Sequence, residues 1–165
     1  MVRTAKSARA GGLTRRGMLR AGLAAIPAGA ALTLIVLPAE ATPESMREVI
    51  KKVVGDAAVK RGRVKLDIPP LSENGNSVSC GVTVESPMTA ADHVKAIHIF
   101  NEKNPQSNVI SVYLGPRAGH ARIATRIRLS DTQTVTAIAE MSDGSFWSDA
   151  ANVVVTLGAC LEDSP

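Results

Sequence analysis

The sequence predicts an all-β fold, an antiparallel β-sandwich of immunoglobulin-like type with one N-terminal amphipathic helix. Three observations predict it. From Arg63 onward apolar residues recur at every second position, the segments that show this return at short spacing with no helical stretch between them, and turn pairs such as Asn104-Pro105, Gly115-Pro116 and Asp143-Gly144 separate them.

Residues 1–41 read as an address and not as structure. Thr14-Arg15-Arg16-Gly17-Met18-Leu19-Arg20 sets twin arginines before an apolar pair and a further arginine, and Ala21 to Leu37 follow as a mildly hydrophobic run broken by Gly22, Pro27 and Gly29. This resembles a twin-arginine export signal, with Arg15 and Arg16 as its signal residues. Ala39-Glu40-Ala41 has the small-x-small form of a signal peptidase site, so Ala39 and Ala41 would direct cleavage and leave Thr42 as the mature N-terminus. A retained membrane anchor is the alternative. Against it, the run is 17 residues long, only mildly hydrophobic, and ends at a cleavage signal.

The leader changes the charge balance. It holds six of the 19 Lys and Arg and one of the 15 acidic residues, which leaves 13 basic and 14 acidic residues, a net charge of −1, in place of the formal +4. No overall basic character toward nucleic acid or an anionic membrane is implied. The remaining 124 residues make one domain, residues 42–157, with a short cysteine-bearing arm at 158–165. Two cysteines, Cys80 and Cys160, are too few for a disulfide framework, although one bridge is open to them.

Thr42-Pro43-Glu44 is a helix entrance: Thr caps, Pro suits the first turn and Glu favours the positive end of the dipole. Met46, Val49, Ile50, Val53, Val54, Ala57 and Ala58 then recur at helical spacing, opposite Arg47, Glu48, Lys51, Lys52 and Asp56, and Gly62 marks the exit. The apolar stripe is expected to pack on the chain's own sheet; docking to a partner is the alternative. Val64, Leu66 and Ile68 alternate with charged residues as a half-buried strand that Pro69-Pro70 ends, and Ser72 to Ser77 is a turn. Val78, Cys80, Val82 and Val84 share one face of the next strand, so Cys80 is expected in the core as a small hydrophobe without chemistry. Further strands are expected at Val94 to Asn101, Val109 to Leu114, Ala121 to Leu129, Thr132 to Met141 and Ser145 to Leu157, the last whole or broken in two. Phe100 and the Phe146-Trp147 pair are expected as the large core groups.

Active-site chemistry is sparse. His93, His98 and His120 form no His-x-Glu, His-x-x-x-His or Cys-x-x-Cys spacing, so no metal site is expected, and His98 reads as structural on either face of its strand. Gly115 to Gly119 lacks the lysine and the strand-to-helix setting of a phosphate loop, and there is no Gly-x-Ser-x-Gly elbow. No catalytic residue is assigned. One thiol stands out. Val153 to Leu157 is a buried strand, whereas Gly158 to Pro165 offers no face to bury, so Cys160 is expected on a projecting arm.

Val82-Thr-Val-Glu-Ser-Pro-Met88, Ile97-His-Ile-Phe-Asn-Glu-Lys-Asn-Pro105, Ala124-Thr-Arg-Ile-Arg-Leu129 and Ala139-Glu-Met-Ser-Asp-Gly-Ser-Phe-Trp147 precede a strand and a C-terminal Gly-x-Cys. In this order the motifs resemble the SoxY family of thiosulfate-oxidation carrier proteins. The resemblance implies a periplasmic, non-enzymatic carrier with no cofactor, whose immunoglobulin-like sandwich pairs with a smaller β-rich SoxZ subunit. It places covalent sulfur attachment on Cys160 and arm flexibility on Gly158. It also implies visits to a SoxXA cytochrome that conjugates thiosulfate, a SoxB hydrolase that releases sulfate, and a sulfane dehydrogenase. The family's tail sets cysteine between glycine pairs, whereas this one reads Gly158-Ala-Cys-Leu-Glu-Asp-Ser-Pro165, stiffer and acidic. Glu162 and Asp163 close to the thiol would raise its pKa. A divergent carrier or accessory protein of another periplasmic dehydrogenase, and a structural domain with a Cys80 to Cys160 bridge, are the alternative readings.

Overall fold

The computed structural model describes residues 42–159. Residues 1–41, with Arg15, Arg16, Ala39 and Ala41 of the expected leader, and residues 160–165 with Cys160 lie outside the described residues.

Among the described residues one helix, α1 (Pro43–Val54), precedes nine strands: β1 (Val59–Arg61), β2 (Val64–Asp67), β3 (Leu71–Ser72), β4 (Val78–Val84), β5 (Val94–Asn101), β6 (Asn108–Tyr113), β7 (Arg122–Ile127), β8 (Gln133–Met141) and β9 (Phe146–Val155). The larger sheet runs β1-β9-β8-β5-β6, with β3 also paired to β9, and the smaller runs β2-β4-β7. The described chain is mostly strand with a single helix, the immunoglobulin-like sandwich that the alternation predicts.

The helix begins as its sequence dictates. Thr42 Oγ1 accepts from the Ser45 N–H at 3.2 Å while Ser45 Oγ accepts from the Thr42 N–H at 3.0 Å, a reciprocal cap with Pro43 just inside it. It ends earlier than the apolar spacing predicts. Gly55, at φ +61, donates its N–H to Lys51 O at 2.8 Å and turns the chain out of the helix, so Ala57 and Ala58 are exposed and outside it. The next residues leave to pair Val59, Lys60 and Arg61 with Phe146, Trp147 and Ser148 of β9. Gly62, expected at the helix exit, instead turns the chain between β1 and β2 at φ +111, with its α-carbon side toward the Trp147 ring.

Two apolar layers result. Between the sheets lie Val64, Leu66, Val78, Cys80, Val82, Ile97, Ile99, Leu129, Val135 and Val153. Each large aliphatic side chain fully buried in this way stabilises the fold by about 1.5–3 kcal/mol. On the outer face of the larger sheet, Met46 and the partly buried Val49, Ile50, Val53 and Val54 of α1 pack on Phe100, Ile138 and Phe146. The helix stripe therefore covers its own sheet. Phe100 and Phe146 are buried as expected, but beneath the helix and not between the sheets, while Trp147 packs partly buried against the inter-sheet core.

β9 is unbroken and pairs with β8 from Gln133↔Val153 to Glu140↔Phe146. The sandwich is not wholly antiparallel, because β1 and β3 join β9 in parallel. Residues 57–72 change sheets twice to do so. The Gly62 and Arg63 positive-φ turn carries the chain to the smaller sheet, and Pro69-Pro70 end that pairing and return it. Leu66 N–H donates to Asp149 Oδ2 at 2.9 Å and ties the crossing strand to β9.

Candidate functional site

The thiol singled out by the sequence follows directly on the last described residue, so the geometry in hand is that of its root. β9 stops at Val155, and the chain is then fastened from two sides. Thr156 N–H donates to Ser72 O at 3.1 Å, Gly75 N–H donates to Leu157 O at 2.8 Å, and Ala159 N–H donates to Leu129 O at 2.9 Å. Leu129 N–H in turn donates to Gly75 O at 2.8 Å, so the turn before β4, the connection after β7 and the chain end form one hydrogen-bonded knot.

Glycines make the knot possible. A Cβ on Gly158 would overlap the carbonyl oxygen of Ser130, and one on Gly75 would overlap Leu129 O and stand 2.9 Å from Ala159 N. Gly158 thus lies in close backbone approach to Ser130, and Ala159 is 8% exposed. Of the arm expected from Gly158 onward, Gly158 and Ala159 lie against the domain between two backbone segments, and residues 160–165 lie outside the described residues.

A polar cluster steadies Ser130. Asn104 Oδ1 accepts from Ser130 N–H at 3.1 Å and from Gln133 Nε2 at 2.8 Å, and its Nδ2 donates to Arg128 O at 2.8 Å. Gln133, 2% exposed, accepts from the Lys103 N–H at 2.8 Å. Turn chemistry and alternation give Gly75 and Asn104 places in turns and Gln133 a place in a strand, but not these packing and hydrogen-bonding roles. One signal for Gln133 was available: it breaks the apolar face that it shares with Val135, Ala137, Ala139 and Met141.

Cys80 lies in the core at 2% exposure between Val78 and Val82. Burial, and secondarily the nearby Asp67 carboxylate, push its thiol up to about 11, so it stays protonated and chemically quiet. His98 is also buried. Its Nδ1 lies 2.8 Å from Ser111 Oγ, its ring stacks on Phe100, and burial lowers its pKa against an opposing pull from Glu140. His93 Nδ1 lies 3.0 Å from Thr89 O. Among the described residues no three His, Cys, Asp or Glu side chains converge on a metal position.

A family model described as sulfur oxidation protein SoxY matches residues 50–160. Among solved structures, the sulfur carrier protein SoxY of Chlorobium limicola f thiosulfatophilum superposes with a TM-score of 0.59 at 21% identity, over 69% of this chain and 98% of that one. A superoxide reductase (neelaredoxin) of Ignicoccus hospitalis follows at 0.51 and 18%, over 69% and 93%. A putative superoxide reductase of Thermotoga maritima gives 0.50 and 18%, over 59% and 93%. At these identities the structural likenesses show a shared fold. No curated protein matches the chain. The family match is of another kind, since it runs through the sandwich to end on Cys160, and the chain belongs to the SoxY family.

Proposed function

We propose that this protein is a periplasmic sulfur carrier in thiosulfate oxidation, exported through its twin-arginine leader, with Cys160 as the covalent attachment point. The observation that carries the reading is the end of the family match on Cys160, one residue beyond a chain segment fastened to the domain. A carrier needs a thiol attached to a stable body and chemically distinct from any other. Cys80, deep in the core with its pKa pushed up to about 11, leaves Cys160 as the thiol suited to exchange at sulfur.

The chemistry asks little of the carrier itself. Joining the Cys160 thiol to the sulfane sulfur of thiosulfate forms one S–S bond and releases one proton and two electrons, which a SoxXA-type cytochrome accepts. Hydrolysis by a SoxB-type enzyme then adds water, breaks the bond between sulfane sulfur and sulfonate, and releases sulfate, leaving a persulfide on Cys160 for a sulfane dehydrogenase. Under this reading the protein turns over nothing alone, holds no cofactor and works as a heterodimer with a SoxZ-like subunit.

The test is the intact mass of the periplasmic protein from thiosulfate-grown cells, with and without reductant, beside a Cys160→Ser variant. Reductant-sensitive additions of single sulfurs or of one thiosulfonate, absent from the variant, are expected. A single unmodified mass, or a Cys80 to Cys160 bridge, would overturn the reading.

A further inference from the structure

The solvent face of the smaller sheet carries a feature that no part of the carrier chemistry uses. Its outward residues form cross-strand rows, Lys65-Thr83-Arg122, Asp67-Gly81-Ala124 and Ser79-Arg126. In the middle row Gly81 and Ala124 lie opposite each other and leave a hollow of about 430 Å3, with Arg122 and Arg126 at its two ends and Asp67 and Pro69 along one side. Arg122 and Arg126 are exposed, lie about 13 Å apart along the strand on either side of Ala124, and both line the hollow.

The charge on this face is unbalanced. Among the described residues the ion pairs are Arg47–Glu44, Arg63–Asp92, Lys95–Glu140 and Lys103–Asp131, and none of them involves Lys65, Arg122 or Arg126. Arg126 does hydrogen-bond Ser77 Oγ at 3.1 Å, which turns its guanidinium along the face. Among the described residues of these rows, three cations therefore stand against Asp67. β2 and β7 are also the edges of this sheet.

We infer that the Gly81 and Ala124 hollow is the docking surface for an acidic, extended segment of a partner protein, its carboxylates taken by Arg122 and Arg126 and its backbone laid over the side-chain-free floor. A polypeptide fits better than a free oxyanion. Each exposed ion pair adds at most about fivefold in affinity, so one small anion gains little, whereas a segment collects several pairs and covers Ala124 and Pro69 as well. The position supplies the purpose, which rests on the carrier reading. β7 leads from Arg122 through Arg126 to Leu129, the residue that accepts from Ala159 N–H, so a protein seated here faces the root of Cys160.

The test is an amide NMR titration of the full chain at low salt with the peptide acetyl-Glu-Ala-Glu-Ala-Glu-amide. Saturable shifts centred on Gly81 and Ala124 are expected, weakened at least tenfold in Arg122→Glu/Arg126→Glu and weakened progressively by sodium chloride. Both residues are exposed, so the variant should keep its thermal midpoint. Equal shifts around Lys51, Lys52, Lys60 and Arg61, or an unchanged titration in the double variant, would overturn the inference. Sodium sulfate at matched ionic strength producing the same saturable shifts would also overturn it, by making a free oxyanion the occupant. The readout does not involve Cys160, so failure here and failure of sulfur loading are separate outcomes.

Discussion

Gly158 lies with its α-carbon against the carbonyl oxygen of Ser130, in a space that admits no side chain. Adding a methyl group there forces apart two backbone segments that are fixed by their own hydrogen bonds. Gly158→Ala is therefore expected to destabilise the domain by about 1–3 kcal/mol, the usual cost of overpacking. It should also free the Ala159 N–H from Leu129 O. Chemical denaturation gives the first quantity and hydrogen exchange at the Ala159 amide the second; unchanged protection there would mean that the knot tolerates a side chain.

Asn104→Ala removes the acceptor of Ser130 N–H and of Gln133 Nε2 together with the donor to Arg128 O. Gln133 is buried and keeps Asp131 O as an acceptor at 3.2 Å, so the loss falls chiefly on Ser130. A destabilisation of about 1–3 kcal/mol is expected, with faster exchange at the Ser130 amide. Wild-type exchange at that amide would show that the loop, and not Asn104, positions it.

Cys80 gives the fold a pH dependence on the alkaline side. Its thiol ionises near the ordinary 9.0 when unfolded and near 11 when folded, so between these values the unfolded chain loses a proton that the native state retains. Stability is therefore fully present below about pH 9 and declines toward pH 11, by on the order of 2–3 kcal/mol. Cys80→Ala should flatten that decline in a comparison of denaturation midpoints at pH 8.5 and 10.5, after its pH-independent cavity cost is subtracted.

His98 acts on the acid side. Burial lowers its pKa from 6.5, so below that value the unfolded chain takes up a proton that the native state refuses. Its contribution is present above pH 6.5 and is lost as the pH falls. Denaturation midpoints at pH 7.5 and 5.5 should differ more for the wild type than for His98→Asn. Equal differences would assign the slope to carboxylates.

The period of two was legible because one face of each long strand is buried. Val78, Cys80, Val82 and Val84 show it, and so do the limits of β5, which coincide with the expected Val94 to Asn101. Thr42-Pro43 likewise announced the helix start. The helix end was hidden, since Ala57 and Ala58 continue the apolar spacing while the backbone of Gly55 breaks the ladder, and spacing carries no dihedral information. The parallel joins of β1 and β3 to β9 are three and two residues long, too short for any periodicity. For the candidate site, the sequence singles out a thiol, but the packing of the residues just before it is not legible there. Gly158 next to an acidic tail looks flexible, and only the approach of Ser130, distant in the chain, gives that glycine its packing role.

Those two short joins have a consequence for solubility. The outer margin of β9 is occupied by Val59–Arg61 at one end and Leu71–Ser72 at the other, with Asp149 between them accepting from Leu66 N–H. A ten-residue strand rich in valine would otherwise offer its free amides and carbonyls to a neighbouring molecule as a template for fibril growth. Here a sixteen-residue detour of the chain, residues 57–72, pairs both ends of that margin from within, so β9 offers a neighbouring molecule only a short central stretch of it.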